Sequence, residues 1–175
     1  MHTLILIPFI IQAIVIGLDE YIFHLKRGLP KWERIGHPLD TLSVIGCFAF
    51  VLFVPYEPSM IKYYVIAAIF SCLLITKDEF VHKHHCPAAE QWLHAILFVN
   101  HSVLLVAMGL MWPRINGLDL FNWMPPAETL VPFLWSQALF AGLFFLYQVV
   151  YWNFIYNPLS MRQPPLPEGR GLKEN

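Results

Sequence analysis

Five long apolar stretches dominate this sequence of 175 residues and restrict what it can fold into. A transmembrane helix needs about 20 mostly apolar residues, because each residue adds about 1.5 Å across a hydrocarbon core about 30 Å thick. Only 13% of the residues are charged, whereas soluble domains have roughly 25%. The sequence therefore predicts an all-α integral membrane helical bundle of about five transmembrane helices. Their expected bounds are about 3–25, 31–54, 60–83, 88–112 and 128–156.

Proline residues and the chain ends refine these bounds. Pro30 and Pro87 stand directly before the second and fourth helices, and proline is favoured there because its missing N–H costs no hydrogen bond in the first turn. The first stretch does not look like a cleavable signal peptide, because it carries Asp19 and Glu20 where cleavage would occur. We expect residues 1–157 to form a single transmembrane domain. The tail 158–175, rich in proline and glycine, is predicted to be disordered.

The distribution of lysine and arginine predicts the orientation of the bundle. Of the 11 basic residues, all except Lys62 and Arg114 fall in the first and third connections or in the tail. Cytoplasmic loops of membrane proteins carry an excess of lysine and arginine. We therefore expect the N-terminus outside and the C-terminus in the cytoplasm, in a bacterial inner membrane.

Two segments of the chain share one pattern of acids and histidines. The first reads DEYIFH from Asp19 and PKWERIGH from Pro30, and the second reads DEFVH from Asp78 and PAAEQWLH from Pro87. Both contain Asp-Glu-aromatic-β-branched, a nearby histidine and then Pro-x-x-Glu-x-x-x-His. This repetition predicts a duplicated helical hairpin, with the first two helices related to the next two about the membrane normal.

Each of these four helices carries a glutamate and a histidine near its cytoplasmic end. Residues three or four apart lie on one helical face, so each pair points the same way. Four facing carboxylates would repel one another without a cation, and the pattern therefore predicts metal binding. The predicted ligands are Glu20, His24, Glu33, His37, Glu79, His82, Glu90 and His94. The supporting polar residues are expected to be Asp19, Asp40, Asp78, His85 and His101.

A simpler interpretation is that these side chains contact lipid headgroups and water. It is adequate for any one pair at a helix end. Four pairs in a repeated pattern favour metal instead, because an ionisable group deeper in the bilayer costs roughly 2.5–3.5 kcal/mol on insertion scales and usually has a partner or a function.

Glutamate and histidine on four facing helices, including the Glu-x-x-His spacing of Glu79 and His82, resemble the ligand plan of ferritin-like di-iron and di-manganese bundles. The resemblance is confined to ligand types and spacing, and this chain offers more histidines than those bundles use. It implies two divalent transition-metal ions. Oxygen and imidazole donors without thiolate suit iron first, then zinc or manganese.

The leading functional hypothesis is a membrane-embedded di-metal oxidoreductase, with two iron ions, that acts with oxygen on a lipid, quinone or other apolar substrate at the cytoplasmic face. Aromatic residues of the fifth helix, among them Tyr147, Tyr151 and Trp152, are candidates to wall the substrate entrance.

Two other classes of function stay open. In a zinc-dependent intramembrane hydrolase, the metal would lower the pKa of a bound water to about 7. A divalent-metal transporter or metal-binding protein is less favoured, because the polar residues gather at one face and not through the midplane. The expected partners are membrane lipid, an apolar small molecule and a second copy of the chain. No basic cluster indicates nucleic-acid binding.

Overall fold

The computed structural model describes residues 3–78 and 87–157, which form five long helices. Each is long and apolar enough to cross a membrane, which confirms the predicted all-helical chain and is compatible with an integral membrane protein. The predicted tail 158–175 lies outside the described residues. The helices are α1 (Leu4–Arg27), α2 (Lys31–Phe53), α3 (Pro58–Ile75), α4 (Ala88–Ile115) and α5 (Ala127–Ile155).

The helix starts follow the proline residues. Pro30, Pro87 and Pro126 directly precede α2, α4 and α5, each with extended backbone at ψ 157° or 158°. This agrees with the predicted starts of α2 and α4 at residues 31 and 88. At the other ends, α1 and α4 continue to Arg27 and Ile115, beyond the predicted residues 25 and 112. A 3-10 turn, Thr76–Asp78, follows α3, and the predicted extension of that helix to residue 83 lies outside the described residues.

The helices pack mainly in two groups. Helix α1 packs along α4, whereas α2 packs along both α3 and α5. A dense apolar core joins the groups at the end of the bundle that holds the α2–α3 and α4–α5 connections. Its fully buried members include Phe9, Met108 and Trp112, and the Trp112 indole N–H donates to the Val54 carbonyl at 2.8 Å. This core leaves the opposite end free to carry polar groups.

Large apolar side chains also cover the outside of the bundle. Phe53, Leu73 and Phe154 are 68%, 65% and 79% exposed. Exposed apolar patches on this scale are unusual for monomeric soluble proteins. The surface is therefore suited to contact with lipid.

The turn between α1 and α2 requires a glycine and fixes the end of α5. Gly28 has a φ of +76°, which side-chain-bearing residues rarely adopt, and a Cβ there would collide with the Tyr156 side chain. The Arg34 guanidinium lies 4.7 Å from the centre of the Tyr156 ring. These contacts hold the last turns of α5 against the first hairpin, beside the polar cluster described next.

Candidate metal centre

A π-helical turn in α1 places the first acids and the first histidine. Residues Glu20–His24 are π-helical, and the Leu25 N–H donates to the Glu20 carbonyl five residues earlier. Such single turns widen the helix and are frequent at functional sites. The wider turn lets Asp19, Glu20 and His24 all point into the bundle, where all three are buried.

One group of four buried side chains surrounds a common point. Asp19, His24, Glu90 and His94 each offer one ligand atom, and these atoms lie within 4.8 Å of one another. An oxygen of the Asp19 carboxylate lies 3.1 Å from His94 Nε2 and 3.3 Å from His24 Nε2. Two carboxylates and two imidazoles at this spacing could hold a metal ion. We call them the first donor group.

A second group shares His24 with the first. His24, Glu33 and His37 also offer ligand atoms within 4.8 Å of one another. Glu33 is completely buried, and the rings of His24 and His37 have their centres 4.9 Å apart. We call these three residues the second donor group. His24 thus lies between two places where an ion could bind.

Glu20 belongs to neither group but orients the shared histidine. Its Oε2 lies 3.1 Å from His24 Nδ1, while its Oε1 accepts hydrogen bonds from the Tyr147 hydroxyl at 2.6 Å and the Trp152 indole at 3.1 Å. A carboxylate on one ring nitrogen commonly fixes the tautomer of a metal-binding histidine. Here the Glu20 carboxylate binds one ring nitrogen of His24, and the other, Nε2, points toward Asp19 and Glu90. Trp152 lies in a second π-helical turn, Tyr151–Ile155.

Arg27 bridges the two completely buried glutamates. One of its guanidinium nitrogens lies 2.7 Å from Glu90 Oε1 and 3.2 Å from Glu33 Oε2. Both glutamates lie in the first turn of their helix, where the helix dipole also favours negative charge. The contacts bring the first turns of α2 and α4 together. The sequence had suggested Arg27 only as a marker of orientation, although it lies three residues after His24 and so on the same face of α1.

Some carboxylate oxygens in the cluster have no hydrogen bond. Asp19 Oδ1 and Glu90 Oε2 are buried without a hydrogen-bond partner among the described residues. A buried polar atom left in this state costs about 1–3 kcal/mol, more when it is charged. Both oxygens belong to the first donor group, and a bound cation would satisfy them.

The remaining predicted residues fall into two sets. Asp40 belongs to neither donor group and pairs with Lys77 at 2.6 Å. His101 Nε2 lies 3.0 Å from the Ser71 hydroxyl, deeper in the bundle. Glu79, His82 and His85 lie outside the described residues, and the side chain of Asp78 is not described.

The cluster lines one end of a cavity of about 620 Å³ between α1, α2, α4 and α5. Asp19, Glu20, His24, His37 and His94 line its polar end. The rest of the wall is mainly apolar, with Phe48, Leu97, Phe98, Phe140 and Phe144 among its members. Ligand pockets of about 300–1,000 Å³ typically combine such a wall with a few polar groups. The donor groups are thus accessible from an apolar cavity of suitable size.

Comparisons of the chain with protein-family models, with curated proteins and with solved structures find no match.

Proposed function

We propose that this chain is a membrane-embedded, metal-dependent oxidoreductase that uses two transition-metal ions, iron first, to act on an apolar substrate. The observation that carries the proposal is the buried carboxylate–imidazole cluster at the polar end of an apolar cavity. In this proposal the cluster binds the metal ions, and the cavity binds the apolar substrate next to them.

The charge balance supports metal binding. Asp19, Glu20, Glu33 and Glu90 are buried carboxylates, and Arg27 is in ion-pair contact with two of them within the described part of the chain. Buried charges are normally paired or bound to a metal because the desolvation of a lone ion is costly. Four carboxylates and one arginine sum to −3, and one or two divalent ions would bring this sum to −1 or +1.

The ligand types and the cavity support redox chemistry. Oxygen and imidazole donors without thiolate suit iron, manganese or zinc, and the described cysteines, Cys47 and Cys72, belong to neither donor group. Two donor groups that share His24 provide for two ions. Molecular oxygen is apolar and enters a lipid-lined cavity more readily than water does. Iron at this site would supply the capacity to activate oxygen, and Asp19, Glu33, Glu90 and the three histidines would hold it.

The site also supports the inferred duplication of the helical hairpin. Glu33 and Glu90 each lie three residues after a proline that precedes a helix, and both contact Arg27. His37 and His94 each lie four residues further on, with ring centres 4.9 and 6.4 Å from that of His24. Equivalent residues thus lie on two sides of one site, as a duplicated hairpin would place them.

A zinc-dependent hydrolase is the second candidate, and the geometry of Arg27 favours it. Arg27 already compensates part of the negative charge on Glu33 and Glu90. A single divalent ion in the first donor group would therefore compensate most of the negative charge that is left. A single zinc ion could polarise a substrate oxygen and lower the pKa of a bound water.

Metal analysis of the purified protein tests the proposal. We expect close to two transition-metal ions per chain, with iron predominant and weak near-ultraviolet absorption bands. One zinc ion per chain without such bands would support the hydrolase. Protein that holds no metal after purification, and takes up none from added iron, zinc or manganese, would rule out both.

The orientation of the bundle is a separate prediction. The bias in basic residues places the cluster on the cytoplasmic side, together with the C-terminus. A reporter enzyme fused after Asn175 should therefore be cytoplasmic, and one inserted near Asn116, in the α4–α5 connection, should be outside. If both report the same side, the five-span topology is wrong.

A further inference from the structure

A lateral gap between α1 and α5 leads into the cavity. At the end of the bundle away from the donor groups, the two helices touch through Phe9 and Phe133, whose ring centres are 5.2 Å apart. At the end that holds the donor groups, they touch through Glu20 and Tyr147. Between Phe9 and Glu20 lie eleven residue steps of α1, or about 16 Å along a helix axis. Between these contacts, cavity-lining residues on both helices, among them Gly17 and Phe140, are exposed, so the cavity is open on this side of the bundle.

Small residues line this opening. Ala13 and Gly17 of α1 line the cavity and are also exposed, and Ala141 of α5 lines the same cavity. A Cβ added to Gly17 would meet no atom within 4 Å, so there is open space beside it. In a membrane, this side of the bundle faces lipid chains. A molecule dissolved in the bilayer can therefore reach the donor groups without passing through water.

The cavity is long as well as apolar. Along α2 its wall runs from His37 to Phe48, and along α4 from His94 to Leu104. These spans of ten or eleven residues correspond to about 15 Å at 1.5 Å per residue. Polar groups gather at the end with the donor groups, and aromatic and aliphatic side chains line most of the remainder. This shape suits one extended chain with a polar end, and not a two-chain phospholipid with its headgroup.

Gln148 offers a hydrogen bond at the polar end. It is 5% exposed, and its amide oxygen accepts a hydrogen bond from the Thr41 hydroxyl at 2.7 Å. Its amide nitrogen has no hydrogen-bond partner among the described residues, and Gln148 lines the cavity. Because Gln148 lines the cavity, this nitrogen is able to donate to a group bound there. An oxygen atom on a ligand would supply one, next to Glu20 and His37.

We propose that the cavity binds a single-chain lipid alcohol or aldehyde, which enters between α1 and α5 and places its oxygen at the Gln148 amide. In the metal-free protein a neutral head is favoured, because a carboxylate would meet the negative charges of Asp19 and Glu20 at the polar end of the cavity. The identification of this molecule as the substrate rests on the proposed enzymatic function, whereas its binding in the cavity does not.

Photo-crosslinking tests the binding site directly. The probe is a long-chain fatty alcohol with a diazirine in its chain and a terminal alkyne, added to the purified full-length protein in lipid nanodiscs. We expect labelled peptides to include cavity-lining residues such as Phe48, Phe98 and Phe144. Gly17→Trp should reduce this labelling at least about fivefold, because the indole would fill the opening. Gly142→Trp is the matched control, since Gly142 also has open space for a side chain but does not line the cavity, and its labelling should stay near wild type.

Two further arms test the head group and separate this proposal from the metal proposal. Gln148→Leu should weaken probe binding about fivefold, as expected for the loss of one hydrogen bond, and after chelation the same probe with a carboxylate head should label the wild type less than the alcohol does. Labelling confined to the outer surface, or unchanged by Gly17→Trp, would overturn the proposed entry route. Equal labelling by the carboxylate probe after chelation, or full binding by Gln148→Leu, would overturn the proposed head group. All arms are repeated after chelation, so that a protein without metal can still show cavity binding.

Discussion

The His24→Ala variant is expected to lose essentially all bound metal. Among the described residues His24 is the one that both donor groups share, so its removal takes one imidazole from each potential site. Loss of a residue that merely supports a ligand typically lowers metal affinity 10- to 100-fold, and loss of a shared ligand should exceed that. Metal content per chain, measured by mass spectrometry after purification, should fall to less than about a tenth of the wild-type value.

Two matched variants sharpen this test. His101→Ala removes a buried histidine that lines the same cavity but contacts Ser71 and belongs to neither donor group, and its metal content should stay near wild type. Glu20→Gln keeps the shape of the residue that orients His24 but removes its charge, and metal affinity should fall by the 10- to 100-fold expected of a supporting group. Wild-type metal content in His24→Ala would show that the cluster is not the metal site.

Much of the fold and part of the site follow from local patterns in the sequence. The five apolar stretches are long enough to predict the helices, and the fixed φ of proline marks the starts of α2 and α4. The four-residue spacing of Glu20 and His24 predicted that they share a helical face, and their side chains do make contact. These features depend on residues close together in the chain, so they can be predicted without the packing of the bundle.

The central position of Asp19 could not be predicted in this way. Regular helical periodicity places residues three or four apart on one face, whereas Asp19 and His24 are five apart. The π-helical turn from Glu20 to His24 brings their side chains within 3.3 Å. The sequence therefore predicted only a supporting role for Asp19, while the structure places it in the first donor group.

Contacts between segments that are distant in the chain could not be predicted from the sequence either. Glu20 accepts hydrogen bonds from Tyr147 and Trp152, which follow it by 127 and 132 positions. Arg27 contacts Glu90, 63 positions away. Asp40 shares a face of α2 with His37, yet it pairs with Lys77 of the neighbouring segment. Helical periodicity gives the direction of a side chain, but only the packing of helices decides which group it meets.

Arg27→Met is expected to destabilise the protein strongly. Methionine replaces the aliphatic stem of the arginine but removes the cation between Glu33 and Glu90, both of which are completely buried. Removing one partner of a buried ion pair typically costs about 3–5 kcal/mol, because the other charge stays buried without compensation. The variant should unfold at a clearly lower temperature than wild type in the same detergent, as followed by tryptophan fluorescence.

Neutralising the two glutamates as well should recover much of that loss. In the triple variant Arg27→Met, Glu33→Gln, Glu90→Gln no unpaired charge is left at this point, and replacing a complete buried ionic group by neutral residues is often close to neutral for stability. Lys77→Met is the control, because its pair with Asp40 is partly exposed, at 17% and 18% for the two side chains, and partly solvated pairs contribute less.

Added divalent metal should also raise the unfolding temperature of Arg27→Met, since a cation bound by Glu90 would replace part of the missing charge. The effect should be smaller in the triple variant, which has lost one carboxylate ligand from each donor group. An Arg27→Met variant as stable as wild type, with or without metal, would show that this arginine does not hold the two glutamates in place.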